Sequence, residues 1–402
     1  MKEGYRFVDC DMHIVEAPEI WEKYLDPAYR SRVTTGVRKD RRGRSRVLID
    51  GKPQGEAISD VQQMEQYNWV RAPIMTARSN SNVDFAIKRN FDPESQVMAM
   101  EMEGIDIAVL FPTAGYLAAS HSGLDPQFVN ALRRAYNDWL HDFCQYSPDQ
   151  LKMAAVLPMQ DVNLACRELE RCVRDFGAVG AVIRPHYFDG RYWHSQYWEP
   201  LYGLAEEMGV ALCFHGSSTS PAGIMARFGE NRFMRQVASH PTEMQLTVIA
   251  LLLGGIFEAH PKLRVGFLEA QSWWLPGILE RAEGLLKDYK NADAAFMELS
   301  PLEYFQRNCF CAVEGEEASL GLLVDVVGAE NLCMSTDFPH HDSGFPNVST
   351  NLLGNATIPR EAAAKILSGG ARLYRFTDEE FAKADAAAVA RKQPAAVAAQ
   401  RG

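Results

Sequence analysis

Near the start of the chain, Asp11 and His13 place a carboxylate and an imidazole two positions apart. The stretch Asp9-Cys10-Asp11-Met12-His13-Ile14-Val15-Glu16 follows a short apolar approach, Tyr5 to Val8, and reads as the end of a β-strand. Residues two apart in a strand point to one face, so this pair stands side by side and suits a divalent metal. Taken alone, the octapeptide fits a surface strand with a wet polar face equally well. What favours the metal is where the other donors fall. Arg184 and His186, His215, Glu269, Glu314, and Asp337 with His340 and His341 just beyond it each follow an apolar run.

Those runs form a repeating pattern. Strands are expected at Ile105 to Phe111, Met153 to Pro158, Ala178 to Arg184, Val210 to Phe214, Leu263 to Leu268, Phe305 to Val313 and Leu332 to Thr336. Helical sequence intervenes at Pro93 to Glu103, Pro126 to Tyr146, Val162 to Phe176, Glu199 to Met208, Glu243 to Ala259, Trp274 to Tyr289 and Glu317 to Val327. Alternation of this kind implies a parallel sheet, because parallel neighbours need a long crossover. With the opening strand there are eight units, which points to an α/β fold of the (β/α)8 TIM-barrel type. A barrel gathers the C-terminal ends of its strands on one face, where active sites lie. Asp11, His13, His215 and Asp337 then converge as two carboxylates and two imidazoles, a nitrogen and oxygen set suited to Zn²⁺, Fe²⁺ or Mn²⁺.

Composition bounds the function. The chain has 402 residues, 47% hydrophobic and 23% charged, enough for a large core. A net charge of -11 argues against nucleic acid and anionic membranes as partners. The exception is Arg38 to Arg46, which runs into Val47-Leu48-Ile49 and the turn pair Asp50-Gly51 and reads as an exposed hairpin. Eight cysteines are scattered without a CxxC pair, so no disulfide framework or zinc knuckle is expected. No apolar span is long enough to cross a bilayer, and a cytoplasmic location is expected. No GxGxxG follows the first strand and no P-loop occurs. Residues 26–90 read as an insertion after strand one, a lid or subunit interface, with a short helix at Val61 to Trp69. Residues 1–375 form the barrel, and 376–402 are an Ala-rich helical tail whose last part is expected to fray.

On these residues the chain resembles the amidohydrolase superfamily, in the branch that contains aminocarboxymuconate-semialdehyde decarboxylase and resorcylate decarboxylase. Asp11-Met12-His13 stands where that branch has His-x-His or Glu-x-His. Phe214-His215-Gly216 matches its strand-five histidine, and Ser335-Thr336-Asp337-Phe338-Pro339-His340 its strand-eight aspartate motif. Gly254 to Leu263 resembles the segment leading into strand six. The resemblance implies one divalent ion held by Asp11, His13, His215 and Asp337, zinc first and iron or manganese otherwise. One departure stands out: the decarboxylases carry a strand-six histidine thought to move a proton, and here the residue is Glu269. A carboxylate can move protons if its surroundings tune it, and it can equally bind metal. With Glu16 and His240, Glu269 could complete a second metal site, as in members of the branch that resemble dinuclear iron oxygenases. Strand four lacks the lysine that bridges two metals in other amidohydrolases.

The remaining residues divide as follows. His240, opening a helix before Pro241, is a catalytic candidate because resembling sequences carry a histidine there. Arg184 could clamp a substrate carboxylate through paired hydrogen bonds or form an ion pair within the barrel. Trp273 could wall an aromatic pocket, and His340 could contact substrate. His260 reads as structural, while His121, His141 and His194 have no spacing that recommends them. The function expected is therefore a metal-dependent hydrolase or decarboxylase for a small carboxylated, aromatic or unsaturated substrate, with Glu269 in proton transfer. The competing readings are a dinuclear iron monooxygenase with Glu269 as ligand, and a structural subunit. Assembly as a homo- or hetero-oligomer is expected.

Overall fold

A computed structural model describes residues 1–17, 20–35, 47–49, 52–53, 81–113, 123–216, 232–340 and 343–399. Eight strands follow one another around a parallel sheet: β1 (Val8–Ile14), β2 (Ile107–Pro112), β3 (Leu151–Val156), β4 (Gly180–Ile183), β5 (Ala211–His215), β6 (Val265–Leu268), β7 (Cys309–Val313) and β8 (Leu332–Met334). Each pairs in parallel with the next through β8. Almost every strand residue is buried, as expected of a sheet covered by helices outside and packed side chains inside. This is the (β/α)8 barrel that the alternation implied.

Local sequence sets where the helices begin. Asp92, Asp125 and Asp161 each accept a backbone N–H of the first turn, the first two with Pro at the next position, and Gly104 and Gly177 end their helices in the left-handed region. The bottom of the barrel is plugged by a short helix, Gly369–Tyr374. The Tyr374 hydroxyl reaches 2.7 Å to the Cys10 carbonyl and 3.4 Å to Cys213 Sγ. The plug sits so close that a Cβ on Gly369 would lie 2.0 Å from the Leu332 carbonyl oxygen, a position only glycine fills.

Two expectations change. The apolar run from Phe305 is not all strand: Pro301–Asn308 is a helix, opened by a capping box between Ser300 and Glu303, and β7 starts only at Cys309. Buried Tyr304 and Phe305 form that helix's inner face, which gave the run its strand-like look. His240 does not open a helix. It lies inside one that runs Arg232–Leu253 with Pro241 in its interior, followed by the short Ile256–Ala259. The Ala-rich tail is helical from Asp378 to Ala399. It is tied down by a two-bond pair from Arg6 to Asp385, both 2.8 Å, and by Arg391 to Ser147 Oγ at 2.8 Å.

Of the insertion, Val33–Thr35, Val47–Ile49 and Lys52–Pro53 form a small antiparallel sheet, which contains the expected hairpin. The basic stretch 38–46, the helix at 61–69, His121 and His341 lie outside the described residues. Among the described residues no helix is long and apolar enough to cross a membrane.

Candidate metal centre

Asp11 and His13 are not a wet surface pair: both are fully buried on β1. The His13 backbone is held on both sides, its N–H donating to the Phe338 carbonyl at 2.7 Å and its carbonyl accepting from Gln96 Nε2 at 2.8 Å. His13 Nδ1 lies 3.0 Å from the Pro112 carbonyl, and His215 Nδ1, at the end of β5, lies 2.8 Å from the Gly216 carbonyl. A carbonyl only accepts, so each Nδ1 carries the hydrogen and each Nε2 is left to face inward. The two Nε2 atoms are 3.0 Å apart.

The carboxylates close around the same point. Asp11 Oδ2 is 3.3 Å from His215 Nε2 and Asp11 Oδ1 is 3.6 Å from His13 Nε2, while Asp337 Oδ1 is 3.3 Å from His13 Nε2. Two donors each about 2.1 Å from one ion at a tetrahedral angle stand about 3.4 Å apart. Asp11, His13 and His215 therefore have the spacing of ligands to one ion, and Asp337 adjoins them through His13. Two donor groups overlap here: Asp11, His13 and His215, and then His13, Asp337 and His340.

The charge balance also fits a cation. Both oxygens of Asp11 are buried without a hydrogen-bond partner among the described residues, a costly state for a carboxylate unless positive charge is supplied. Burial pushes the Asp11 carboxyl up, against the pull of His215. Burial also opposes charge on His215, but Asp11 and Glu269 outweigh it and hold this imidazole well above its ordinary range. Burial, followed by the charges of His340 and His215, drives His13 well below it. The protein thus concentrates its demand for positive charge at His215 Nε2, where a proton or a divalent ion can meet it.

Glu269 belongs to this cluster. It follows β6 directly, with Oε2 3.0 Å from His215 Nε2 and Oε1 3.9 Å from His340 Nδ1. Burial alone would raise its carboxyl, but His215, with His240 and His340, holds it below the usual carboxylate range. His240 Nδ1 donates to the Glu269 carbonyl at 2.9 Å, and His340 Nδ1 lies 2.8 Å from Asp337 Oδ1 with its Nε2 3.2 Å from Thr113 Oγ1. Glu269, Gln271 and Asp337 all have positive φ, at 49°, 51° and 53°. Non-glycine residues take that conformation rarely, and such backbone collects at functional sites.

A cavity of about 300 Å³ opens beside the cluster, lined by Glu269, Asp337, His240, Trp273, Glu314 and Val348 among others. Trp273 is half exposed at its edge. Arg184, by contrast, is buried at the end of β4 with Arg133, Gln160 and Phe188 around a space of about 10 Å³. Glu16 is buried beyond the end of β1, where its charge acts on Tyr136, and it belongs to neither donor group. The second site expected from Glu16, His240 and Glu269 is therefore not the second group that forms, which uses His340. His260 is buried 3.4 Å from Glu206 at the other end of the barrel, a structural place. Sequence reasoning passed over Thr113 and Asp9, although Asp9 heads the same alternating row as Asp11 and His13.

The amidohydrolase family model matches residues 8–376, nearly the whole chain. The chain belongs to the amidohydrolase family. This amidohydrolase is 26% identical over 276 residues to gamma-resorcylate decarboxylase from Rhizobium radiobacter, a match covering 64% of this chain and 81% of that protein. In fold it is similar to a solved amidohydrolase from Mycobacterium avium subsp. paratuberculosis K-10, with a TM-score of 0.73, 19% identity and coverage of 93% and 99%. It is also similar to dihydroxybenzoic acid decarboxylase from Polaromonas sp. JS666, solved with manganese and the inhibitor 2-nitroresorcinol, with a TM-score of 0.61, 19% identity and coverage of 94% and 99%. These likenesses give the dinuclear iron oxygenase reading no support.

Proposed function

We propose that this amidohydrolase is a metal-dependent carboxy-lyase that removes carbon dioxide from a small aromatic carboxylate. The observation that carries the reading is the buried donor group of Asp11, His13 and His215, with half-buried Asp337 beside His13 and Glu269 standing between the group and the cavity. The decarboxylases to which the chain is similar support the choice over hydrolysis. A divalent ion held there would supply Lewis-acid charge to a substrate oxygen. Manganese accompanies the related decarboxylase and is a fitting first choice beside the zinc that the donor types suggest.

The chain's own residues then have defined work. A cavity of about 150 Å³ takes benzene, so about 300 Å³ accommodates a substituted single ring. Trp273 and Val348 offer that ring apolar walls, while Ala270 and Val313 line the same space. Decarboxylation needs a proton at the ring carbon that bears the carboxylate. As that proton arrives, the carbon–carbon bond breaks, its electron pair stays with the ring, and carbon dioxide leaves. Glu269 is placed to pass that proton on, with His215 and His340 on either side of its carboxylate; these neighbours keep it ionised at rest, so it carries the proton only in transit. His340 orients Asp337 through their 2.8 Å contact.

The test is carbon dioxide release from a panel of hydroxybenzoates, with protein loaded with manganese or zinc, then stripped with chelator. Release that depends on added metal and proceeds unchanged without dioxygen is the expected result. Glu269→Gln should retain the ion and lose about 10²–10⁴-fold in turnover. No release from any carboxylated ring by metal-loaded protein sinks the reading, and loss of metal from Glu269→Gln would make Glu269 a ligand instead of a proton carrier.

A further inference from the structure

Asp9 is fully buried on β1 and belongs to neither donor group. It is used on the seam between the first strand and the last. Its Oδ1 accepts the backbone N–H of Asp11 and that of Thr336, each at 3.2 Å, and its Oδ2 accepts the Thr336 hydroxyl. Ser335 makes a reciprocal link, its Oγ donating to the Asp11 carbonyl at 2.9 Å and accepting the Asp337 N–H at 3.2 Å. Every one of these bonds ends on Asp11, on Asp337 or on the residue next to it.

The position of this network gives it weight. The parallel ladders run without a break from β1 to β8, but among the described residues no ladder joins β8 back to β1. Elsewhere in the barrel, backbone pairing fixes how far apart two strand ends lie. At this seam one backbone bond, from the His13 N–H to the Phe338 carbonyl, is joined by these side chains, and the two candidate ligand sets, Asp11 with His13 and Asp337, stand on opposite sides of it. Asp337 is also held at φ 53°, a conformation that depends on its surroundings.

We propose that Asp9 is a positioning residue for the metal: its carboxylate clasps β8 to β1 and sets the distance from Asp337 to Asp11 and His13 at the value one ion requires. The inference rests on the metal reading of the site. A carboxylate is needed because three donors converge on it. Asn offers one acceptor oxygen and two N–H groups, so Asp9→Asn keeps the shape but removes the anion and replaces Oδ2 with a donor, and the Thr336 hydroxyl must turn from donating to accepting. Thr336→Val removes the hydroxyl's bond to Asp9 and the one it accepts from the Phe338 N–H at 3.3 Å, and keeps the branched side chain and the backbone bond from Thr336 to Asp9.

The experiment titrates chelator-stripped protein with Mn²⁺ and with Zn²⁺ against a competing fluorescent chelator, alongside urea unfolding in EDTA. Partners behind metal ligands typically account for 10–100-fold in metal affinity. Asp9→Asn should weaken metal binding by about that factor, and Thr336→Val by about tenfold, the lower end. A residue that only stabilised the fold would lower the unfolding midpoint in EDTA and leave affinity under native conditions unchanged. Wild-type affinity in a folded Asp9→Asn protein overturns the inference while leaving the metal reading intact. If Asp9→Asn does not fold, Thr336→Val decides by the same measurement. A wild-type protein that binds neither ion overturns the metal reading and the inference with it.

Discussion

Glu243, buried in the helix Arg232–Leu253, should make the protein lose stability as pH rises from acid to neutral. Burial pushes its carboxyl up to about 7, with Arg184 restraining the rise. In the unfolded chain the same group titrates near 4.3. The folded state therefore binds a proton that the unfolded state releases between these values, so its contribution is complete below about pH 4 and falls away as pH passes through 7. A shift of between two and three units at about 1.4 kcal/mol each gives roughly 3–4 kcal/mol lost across that window. Glu243→Gln cannot ionise and should escape the loss. The assay is urea unfolding of both proteins at steps from pH 4.5 to pH 8. Relative to wild type, the variant should gain roughly 3 kcal/mol over that range. A difference between the two proteins that does not change with pH would refute the reasoning, since it would mean Glu243 is as comfortable charged in the fold as in water.

Two further substitutions test the geometry of the site and its supports. Gly216→Ala puts a Cβ 2.3 Å from the Glu269 carbonyl and 3.0 Å from His240 Nδ1, so it should displace the Glu269 turn. We expect turnover to fall by at least about 10²-fold with far-UV circular dichroism unchanged, and wild-type turnover would show that the turn can move freely. Glu103, fully buried, accepts the N–H groups of Val348 and Ser349 at 2.9 and 3.2 Å and the Ser349 hydroxyl at 2.6 Å. Removing a buried acceptor of this kind by Glu103→Ala should cost about 3–5 kcal/mol in unfolding free energy, and a loss below about 1 kcal/mol would contradict its anchoring role.

The metal candidates were legible because three short-range facts agree: Asp11 and His13 alternate on a strand, His215 ends an apolar run, and Asp337 follows another. Strand period and barrel topology then do the rest, since a barrel brings the C-terminal ends of its strands together whatever lies between them. What failed depends on information that no single window carries. Pro241 read as a boundary because proline lacks an N–H, yet the helix continues through it. Phe305 read as strand because the apolar face of a short helix and a buried strand look alike over a few residues. The capping box Ser300-Pro301-Leu302-Glu303 was the available signal there. The contact of Glu269 with His215 joins β5 to β6, and the bond of Asp9 to Thr336 joins β1 to β8 across 327 residues. Neither has a local trace.

The glutamate on strand six is best understood together with His240. In the branch that this sequence resembles, the expected proton carrier is one histidine on that strand. Here Glu269 stands at that place, with His240 bonded to its carbonyl. The Glu269 carbonyl fixes His240 by accepting its Nδ1–H, so the helix delivers an imidazole to the cavity that Glu269 also lines. The Glu269 carboxylate is then left to act on His215 and His340, whose charges keep it ionised despite burial. Exchanging Glu269 for His would thus not simply restore the pattern of the branch. It would remove the anion that His215 faces at 3.0 Å and place a third imidazole beside His215 and His340. Like-charge repulsion among them would lower the demand for positive charge at His215 Nε2, which is the property that makes this cluster fit a divalent ion.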